Sequence, residues 1–324
     1  MQVIRGLHNC KNKHQNGVFT IGNFDGLHLG HQKILQQLHA EAKRLDTHCG
    51  LMTFEPLPRE YFNKATATDA EINYGTARLM NRYEKIRTLT NFSPEICPDY
   101  LLILKFGKTL ASMTAAEFIK NILVDTLKIR SLIIGDDFRF GCDRQGDFSL
   151  LQEFGSKHGF NVISIASHHI GDRRASSTLI REALLENRLA DADKMLGRAY
   201  TISGHINHGE KRGRTIGFPT ANIHLRRTQT PLHGVYSVTM HSRKFGDVAG
   251  IANIGRRPTV GGEHVQLEVH LFDFDEQIYG EPVCVSFQHK IRDEKKFDSF
   301  DDLKQQIQID CQKAIDQLKM KNEK

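Results

Sequence analysis

Between Val18 and about Phe160, short apolar runs alternate with segments whose apolar residues recur at helical spacing, and that alternation restricts the fold more than any other feature. The pattern predicts strands at 18–22, 50–54, 100–104, 131–135 and 160–166, and helices at 31–45, 77–91, 115–127 and 147–158. Thr114 and Glu117, ahead of Phe118-Ile119, read as a capping box that opens the third helix. Strands that take turns with helices pair in parallel, because each crossover returns the chain to the same end of the sheet. The first half therefore reads as an α/β domain, a doubly wound parallel sheet covered on both faces. Ligands are expected at the carboxyl ends of its strands.

After Gly197 the pattern changes. Tyr200-Thr201-Ile202, Gly234–Val238, Val248–Ala252, Gln266–Leu271 and Val283–Phe287 read as strands separated by turn residues. Several short strands in so little chain predict a small antiparallel β-barrel or sandwich. A terminal helix follows, with Phe300, Leu303, Ile307, Cys311, Ala314 and Leu318 on one face. A helical segment at 177–196 separates the halves, and the 324 residues divide into domains 1–186 and 187–324, each long enough to bury its own core.

The formal charge of +6 favours anionic ligands. No long Lys/Arg block marks a nucleic-acid arm, so binding of RNA or DNA by the basic surface is the weaker of the readings this charge allows. The six cysteines stand singly, with no C-x-x-C pair, which points to neither a zinc site nor a disulfide framework. Reduced thiols imply the cytosol. The segment Met1–Gln15 is polar, and no run approaches the roughly 18 apolar residues that span a bilayer. A soluble cytoplasmic protein with small-molecule partners, and with neither nucleic acid nor membrane among them, is expected.

Gly22-Asn23-Phe24-Asp25-Gly26-Leu27-His28-Leu29-Gly30-His31 joins the first strand to the first helix. Backbone N–H groups at a helix start have no intrahelical partner and lie at the positive end of the macrodipole, which suits a phosphate. His28 and His31, three apart, can direct imidazole N–H groups at the same anion. The same residues also fit a tight turn with two exposed histidines. Gly135-Asp136-Asp137-Phe138-Arg139-Phe140-Gly141 follows another strand in the same way.

Ser176-Ser177-Thr178-Leu179-Ile180-Arg181 precedes an apolar helical pattern, with a serine as cap and with Thr178 and Arg181 on one face. Hydroxyls, free N–H groups and a guanidinium would form a second anion site, although a plain cap beside a solvated arginine fits too. Two anion-binding helix starts on one sheet fit adenylyl transfer, in which an incoming phosphate attacks the α-phosphate of ATP. That reaction needs positioning and charge stabilisation rather than a protein nucleophile.

In the second half, the stretch 209–222 combines glycines, Lys211, Arg212, Arg214, Thr220 and Asn222. It lacks Walker A spacing, yet its glycines allow backbone approach to phosphates, and a Thr hydroxyl and an Asn carbonyl are hard ligands for Mg²⁺. In Leu267-Glu268-Val269-His270-Leu271 the apolar residues take one strand face and Glu268 the other. That placement fits a solvated carboxylate and equally a base for a substrate hydroxyl.

His28-Leu29-Gly30-His31 and the Ser-Ser-Thr-x-x-Arg element at 176–181 resemble the two signatures of His-x-Gly-His nucleotidyltransferases. More narrowly, Gly22–Gly26, Thr53-Phe54-Glu55-Pro56 and Gly135–Gly141 look like the adenylyltransferase module of bacterial bifunctional riboflavin kinase/FAD synthetases. Thr215–Asn222, Gly250–Gly255, Leu267–His270 and Arg292–Phe297 look like that family's riboflavin kinase module, in the family order. The resemblance implies phosphorylation of riboflavin to FMN and adenylylation of FMN to FAD, with ATP as the donor and Mg²⁺ as the metal. By it, His28 and His31 hold ATP phosphates in a turn with Gly22, Asn23, Asp25 and Gly30, and Ser177, Thr178 and Arg181 close on them. Asn23 and Asp137 would line the nucleotide and flavin phosphate site. Lys211, Gly213, Arg214 and Gly217 would meet the phosphates of the kinase's ATP, and Thr220 and Asn222 would bind Mg²⁺–ATP. Glu268 would activate the ribityl 5′-hydroxyl, and Arg292 would sit in a segment that closes over flavin. Leu57 stands where the family usually has histidine, and Lys105-Phe106-Gly107 replaces a more usual Pro-Phe-Asn. A kinase of single activity, with an impaired adenylyltransferase domain, is therefore the alternative expectation.

Overall fold

The computed structural model describes residues 1–66, 77–166, 169–170, 173–207, 217–225, 227, 229–259 and 262–322. Their contacts form two units, one from the described residues of Met1–Ile72 and Lys85–Ser176, the other from those of Asn73–Glu84 and Ser177–Lys324. The sequence division after residue 186 lies beyond this contact division, because the helix that begins at Ser177 packs with the elements that follow it.

The first unit is built on six strands: β1 (Gln2–Arg5), β2 (Val18–Ile21), β3 (Cys49–Glu55), β4 (Tyr100–Lys105), β5 (Ser131–Gly135) and β6 (Asn161–Ile165). All pair in parallel, in the order β1-β4-β3-β2-β5-β6. β2 is buried at all four positions, as a strand covered on both faces requires. β1 was hidden in the polar start of the chain, since a four-residue edge strand needs little apolar content. The helices from Leu29 to His158 are α1 (Leu29–Arg44), α2 (Pro58–Thr66), α3 (Arg82–Asn91), whose first three residues belong to the second unit, α4 (Lys108–Ala111), α5 (Ala115–Phe118) and α6 (Phe148–His158). A two-residue hairpin, β7 (His169–Ile170) with β8 (Arg173–Arg174), follows β6.

Two helices differ from their expected spans. The helix predicted over 77–91 begins only at Arg82. The Asn81 amide donates to Glu84 Oε2 (2.6 Å) while the Glu84 amide donates to Asn81 Oδ1 (2.9 Å), a reciprocal cap that fixes the start. The segment predicted over 115–127 is α only as far as Phe118 and widens into π turns over Ile119–Thr126, which still bury Ile119, Ile122 and Leu123. Its capping box forms as expected: the Glu117 amide donates to Thr114 Oγ1 at 3.2 Å, and the Thr114 amide donates to Glu117 Oε2 at 2.9 Å.

In the second unit the helical segment 177–196 is broken. α7 (Ser177–Leu185) and α8 (Leu189–Leu196) are separated by a turn in which Asn187 takes a positive φ of 59°. Then come β9 (Thr201–Asn207), β10 (Ala221–His224), β11 (Gly234–Ser242), β12 (Gly246–Thr259), β13 (Gly262–Leu271) and β14 (Pro282–Arg292). They close a barrel in the order β10-β13-β12-β11-β14-β9, so the barrel rather than the sandwich is formed. Its neighbours are antiparallel, and Leu267 and Val269 are fully buried between half-buried Gln266, Glu268 and His270. α9 (Phe300–Asn322) packs on β11, β12 and β14. Its apolar stripe is not core throughout: Phe300 is 67% exposed, whereas Ala314 is fully buried.

The second unit also encloses an ion pair. Glu84 and Arg227 are both buried, and the Glu84 carboxylate accepts from the Arg227 guanidinium, from the Ser203 amide (2.7 Å) and from the Asn81 amide. Removing one partner of such a pair typically costs about 3–5 kcal/mol, because the other charge is left in a dry interior. The contact fastens residues 81–84 to the barrel strand β9.

Candidate active sites

β2 continues into β3 on one side of the sheet while β5 lies on its other side, so a crevice is expected outside the carboxyl ends of β2 and β5. The two sequence motifs sit there: Gly22–His28 directly after β2, and Asp136–Gly141 directly after β5. In the first turn Phe24, Gly26 and Leu27 all have positive φ, at 44°, 88° and 47°. Glycine adopts this at little cost; Phe24 and Leu27 do so with side chains 3% and 0% exposed, so burial holds an otherwise disfavoured backbone.

His28 is the N-cap of α1, and its Nδ1 accepts the His31 amide N–H at 3.3 Å. A neutral imidazole whose Nδ1 accepts carries its proton on Nε2. The His28 and His31 rings stack with centroids 3.6 Å apart, and Phe24 lies 4.6 Å from His31. A Cβ at Gly30 would come within 3.1 Å of His28 Nδ1, so the glycine leaves room for the ring. The Gly22 amide is spent on the Met52 carbonyl in the sheet.

Asp25 is 2% exposed, and Arg59 Nη2 donates to its Oδ2 at 2.5 Å. Lys85 is also buried; its ammonium donates to the Asn23 carbonyl (2.6 Å) and to Thr53 Oγ1 (3.1 Å). Two cations thus brace the turn. Neither was found from sequence: Arg59 lies just beyond the Thr53–Pro56 motif, and Lys85 is 62 residues from Asn23 with no local signal of its own. Asp137 is largely exposed and paired with Arg174 Nη2 at 2.7 Å. At the carboxyl ends of β3 and β4, Phe54, Tyr61, Phe62 and Phe106 form an aromatic cluster with centroids 5.4–5.8 Å apart, and Phe62 is half exposed. Leu57 is buried beside it in sequence, whereas a Cβ at Gly107 would meet open space.

Ser177, Thr178 and Arg181 lie on α7, in the second unit. Arg181 is not the solvated arginine of a plain cap. It is 2% exposed, and its Nε donates to the Ala77 carbonyl at 2.6 Å.

On the barrel, strand register sets Asn207 opposite Asn222, Asn222 opposite Glu268, and Glu268 opposite Asn253. Directly opposed residues share a face, so four polar side chains from β9, β10, β13 and β12 form one row. Glu268 is half-buried and lines a cavity of about 320 Å³ together with Thr220, Asn253, His270 and Arg292; Phe218, Ile251 and Phe297 give it apolar walls. A second cavity, about 460 Å³, shares Thr220 and adds Asn222, with Phe274 and Tyr279 on its wall. Asn222 Oδ1 accepts from Gln266 Nε2 at 2.6 Å. His270 Nδ1 lies 2.9 Å from the Pro219 carbonyl, which can only accept, so the ring donates there and steadies the residue before Thr220. Lys211, Gly213 and Arg214 lie outside the described residues; Gly217 is exposed with a φ of 85°.

Arg292, at the end of β14, donates from Nε to Asp310 Oδ2 of α9 (2.8 Å) and from Nη1 to the Asp293 carbonyl (2.9 Å). Its guanidinium lies 5.6 Å from the Phe297 ring centroid. Lys290, 2.5 Å from Asp293, holds that carboxyl below its usual range.

A parallel α/β unit with a two-histidine turn at its strand ends, followed by a closed barrel whose polar row, with Glu268 in it, borders two cavities, fits a two-module nucleotide-dependent transferase. The comparisons agree with that class. Residues 10–179 match the FAD synthetase family and residues 196–318 the riboflavin kinase family. The bifunctional riboflavin kinase/FMN adenylyltransferase of Haemophilus influenzae is 46% identical over 97% of this chain and 98% of its own, and that of Escherichia coli K12 is 45% identical over 96% of each. A crystal structure described as a macrolide-efflux protein from Streptococcus pneumoniae shares the fold, with a TM-score of 0.76 and 30% identity over 96% of this chain and 97% of that one. The chain belongs to the bifunctional riboflavin kinase/FMN adenylyltransferase family, and it is an enzyme of both activities. Among the described residues no helix is long and apolar enough to cross a membrane.

Proposed function

We propose that the barrel module phosphorylates riboflavin and the α/β module adenylylates the resulting FMN, with the chain divided between them after residue 186. The two family matches, which end at residue 179 and resume at residue 196, support that division. The observation that carries the kinase assignment is the position of Glu268, set by register between Asn222 and Asn253 and on the wall of a cavity with apolar sides. Riboflavin occupies that cavity, its flat ring against Phe218, Ile251 and Phe297. Glu268 takes the proton of the 5′-hydroxyl, the oxygen attacks the γ-phosphorus of ATP, and ADP leaves with the bonding pair. The second cavity, across Thr220, takes the nucleotide.

Mg²⁺ suits this set. Among the described residues no group of three or more His, Cys, Asp or Glu side chains could hold a metal. A magnesium ion that keeps its waters and binds phosphate needs only one or two protein oxygens, and the Thr220 hydroxyl and Asn222 carbonyl supply them. When bound, it would offset the charge of the transferring phosphoryl group.

For adenylyl transfer, an FMN phosphate oxygen attacks the α-phosphorus of ATP and pyrophosphate leaves. We assign His28 Nε2–H and His31 to the phosphates, and we read Arg59 and Lys85 as the cations that support their turn. Asp25 then serves the phosphates through Arg59, because a carboxylate by itself repels them. Ser177, Thr178 and Arg181 are assigned to ATP on their motif. The cluster around the half-exposed Phe62 offers an apolar surface for the isoalloxazine ring. Riboflavin, FMN and ATP are the only partners that either reaction requires, and the cytoplasm supplies all three.

A time course with riboflavin, ATP and Mg²⁺, resolving FMN and FAD, tests the proposal. FMN should rise first and then pass into FAD; accumulation of FMN alone would remove the adenylyltransferase assignment.

A further inference from the structure

We infer that Asp310, a buried carboxylate on α9, is a positioning residue for riboflavin: it holds the Arg292 guanidinium against the kinase cavity. This rests on the reading of that cavity as the riboflavin site. Asp310 is 1% exposed, and both of its oxygens are engaged: Oδ2 accepts Arg292 Nε at 2.8 Å and Oδ1 accepts Gln306 Nε2 at 2.9 Å. Gln306 lies one helical turn before Asp310, so α9 itself sets the direction of the carboxylate.

The guanidinium is fixed at three points. Nε is on Asp310, Nη1 is on the Asp293 carbonyl, and the plane lies beside Phe297. Among the described residues Nη2 has no hydrogen-bond partner, although Arg292 and Asp310 both line the cavity with Glu268. A planar fork tied at two nitrogens leaves the third as a donor of fixed direction. The acceptors that riboflavin offers are the carbonyl and imine groups of its ring and the hydroxyls of its ribityl chain. A buried carboxylate beside the arginine also offsets its charge, so the site favours a neutral acceptor over a free anion.

Gln306 and Asp310 are a helical pair in the terminal element, and sequence reading assigned α9 only a packing stripe. The structure assigns it a second task on the adjoining face. The α9 carboxylate sets the aim of Arg292, and Arg292 meets the substrate.

The test is a double-mutant cycle in the full-length enzyme, reading riboflavin KM and kcat for phosphorylation, with FMN adenylylation and thermal unfolding as controls. A charged hydrogen bond contributes roughly 1.5–3 kcal/mol, or about ten- to a hundredfold in affinity. Arg292→Met should raise riboflavin KM about tenfold or more. Asp310→Asn should raise it several-fold with kcat little changed, and Asp310→Glu should recover much of that loss. Arg292→Met with Asp310→Asn should match Arg292→Met alone, because the carboxylate acts through the guanidinium. Gln306→Met is a milder variant that leaves the ion pair in place, and it should raise KM by less than Asp310→Asn. A double mutant whose KM defect is the product of the two single defects overturns the inference, as does an unchanged KM in Asp310→Asn. If Arg292→Met itself leaves KM unchanged, this inference fails, whereas the riboflavin reading of the cavity fails only if Glu268→Gln leaves phosphorylation intact.

Discussion

At the end of β2, ten consecutive residues from Gly22 to His31 supply the turn, the helix cap and both imidazoles. On the barrel, Asn222, Glu268 and Asn253 come from three strands and meet only because β10, β13 and β12 pair in one register. The first arrangement is local and held by backbone conformation: three positive-φ residues in the space of four, fixed by buried side chains. The second is non-local and held by the hydrogen-bond ladder, so a slip of one residue would turn Glu268 into the barrel interior. A local site fails through its own residues. A ladder site also fails through any strand that carries it.

The largest expected effects test whether the two regions are independent. Glu268→Gln removes the proposed base while preserving shape, and should slow FMN formation by about 10²–10⁴-fold. FAD formation from supplied FMN should persist. His31→Ala should do the reverse, with adenylylation reduced about 10²-fold by loss of an anion donor and riboflavin phosphorylation intact. Rates of each half-reaction with its own substrate decide the matter. If either variant, still folded, lost both activities, the comparison between two separate regions would break.

Lys85→Met probes the less local side of the turn. Removing the ammonium leaves the Asn23 carbonyl and the Thr53 hydroxyl without that donor, behind the residues proposed to hold phosphate. Adenylylation should fall about tenfold or more, since hydrogen bonds to charged groups contribute roughly 1.5–3 kcal/mol. Phosphorylation of riboflavin should hold its rate. An unchanged adenylylation rate would show that the turn is self-sufficient, which would sharpen the contrast between local and non-local construction.

How far each region was legible in the sequence follows from the same contrast. The strand, glycine turn, helix start and paired histidines are contiguous, and each has a periodicity or residue preference that shows locally. So does the Thr114–Glu117 capping box. Glu268 showed through strand alternation, and Thr220 and Asn222 through their donor chemistry, only as candidates; the extended motif resemblance gave them their roles. Asn253 stood inside a quoted motif without a role, because only register reveals that it faces Glu268. Lys85, Arg59 and Asp310 were missed outright. Lys85 and Asp310 are buried and Arg59 half-buried against partners far along the chain, and no period in a sequence reports such partners. β1 and β10 were missed for a different reason: four residues are too few to display alternation.

One substitution made in both regions separates ladder from turn most finely. In β12, a Cβ at Gly250 would strike the carbonyl oxygen of His270, part of the backbone of the paired strand β13, two residues beyond Glu268. A ladder cannot yield there without parting, so Gly250→Ala should destabilise the enzyme by about 1–3 kcal/mol and lower its riboflavin kinase activity together with its melting temperature. In α1, a Cβ at Gly30 would stand 3.1 Å from His28 Nδ1 and 3.2 Å from its Cε1, atoms of a side chain that can give by a few tenths of an ångström. Alanine also suits a helix better than glycine, by about 0.5–1 kcal/mol. Gly30→Ala should therefore leave the melting temperature unchanged or slightly raised. It should slow adenylylation only a few-fold, because the displaced ring loosens the Nδ1 contact that keeps the proton on Nε2. Melting curves and the two half-reaction rates, measured side by side, check both variants. Equal losses of stability would mean that the turn is held as rigidly as the ladder, whereas a Gly30→Ala enzyme with full adenylylation would mean that the position of the His28 ring is not what fixes its donor.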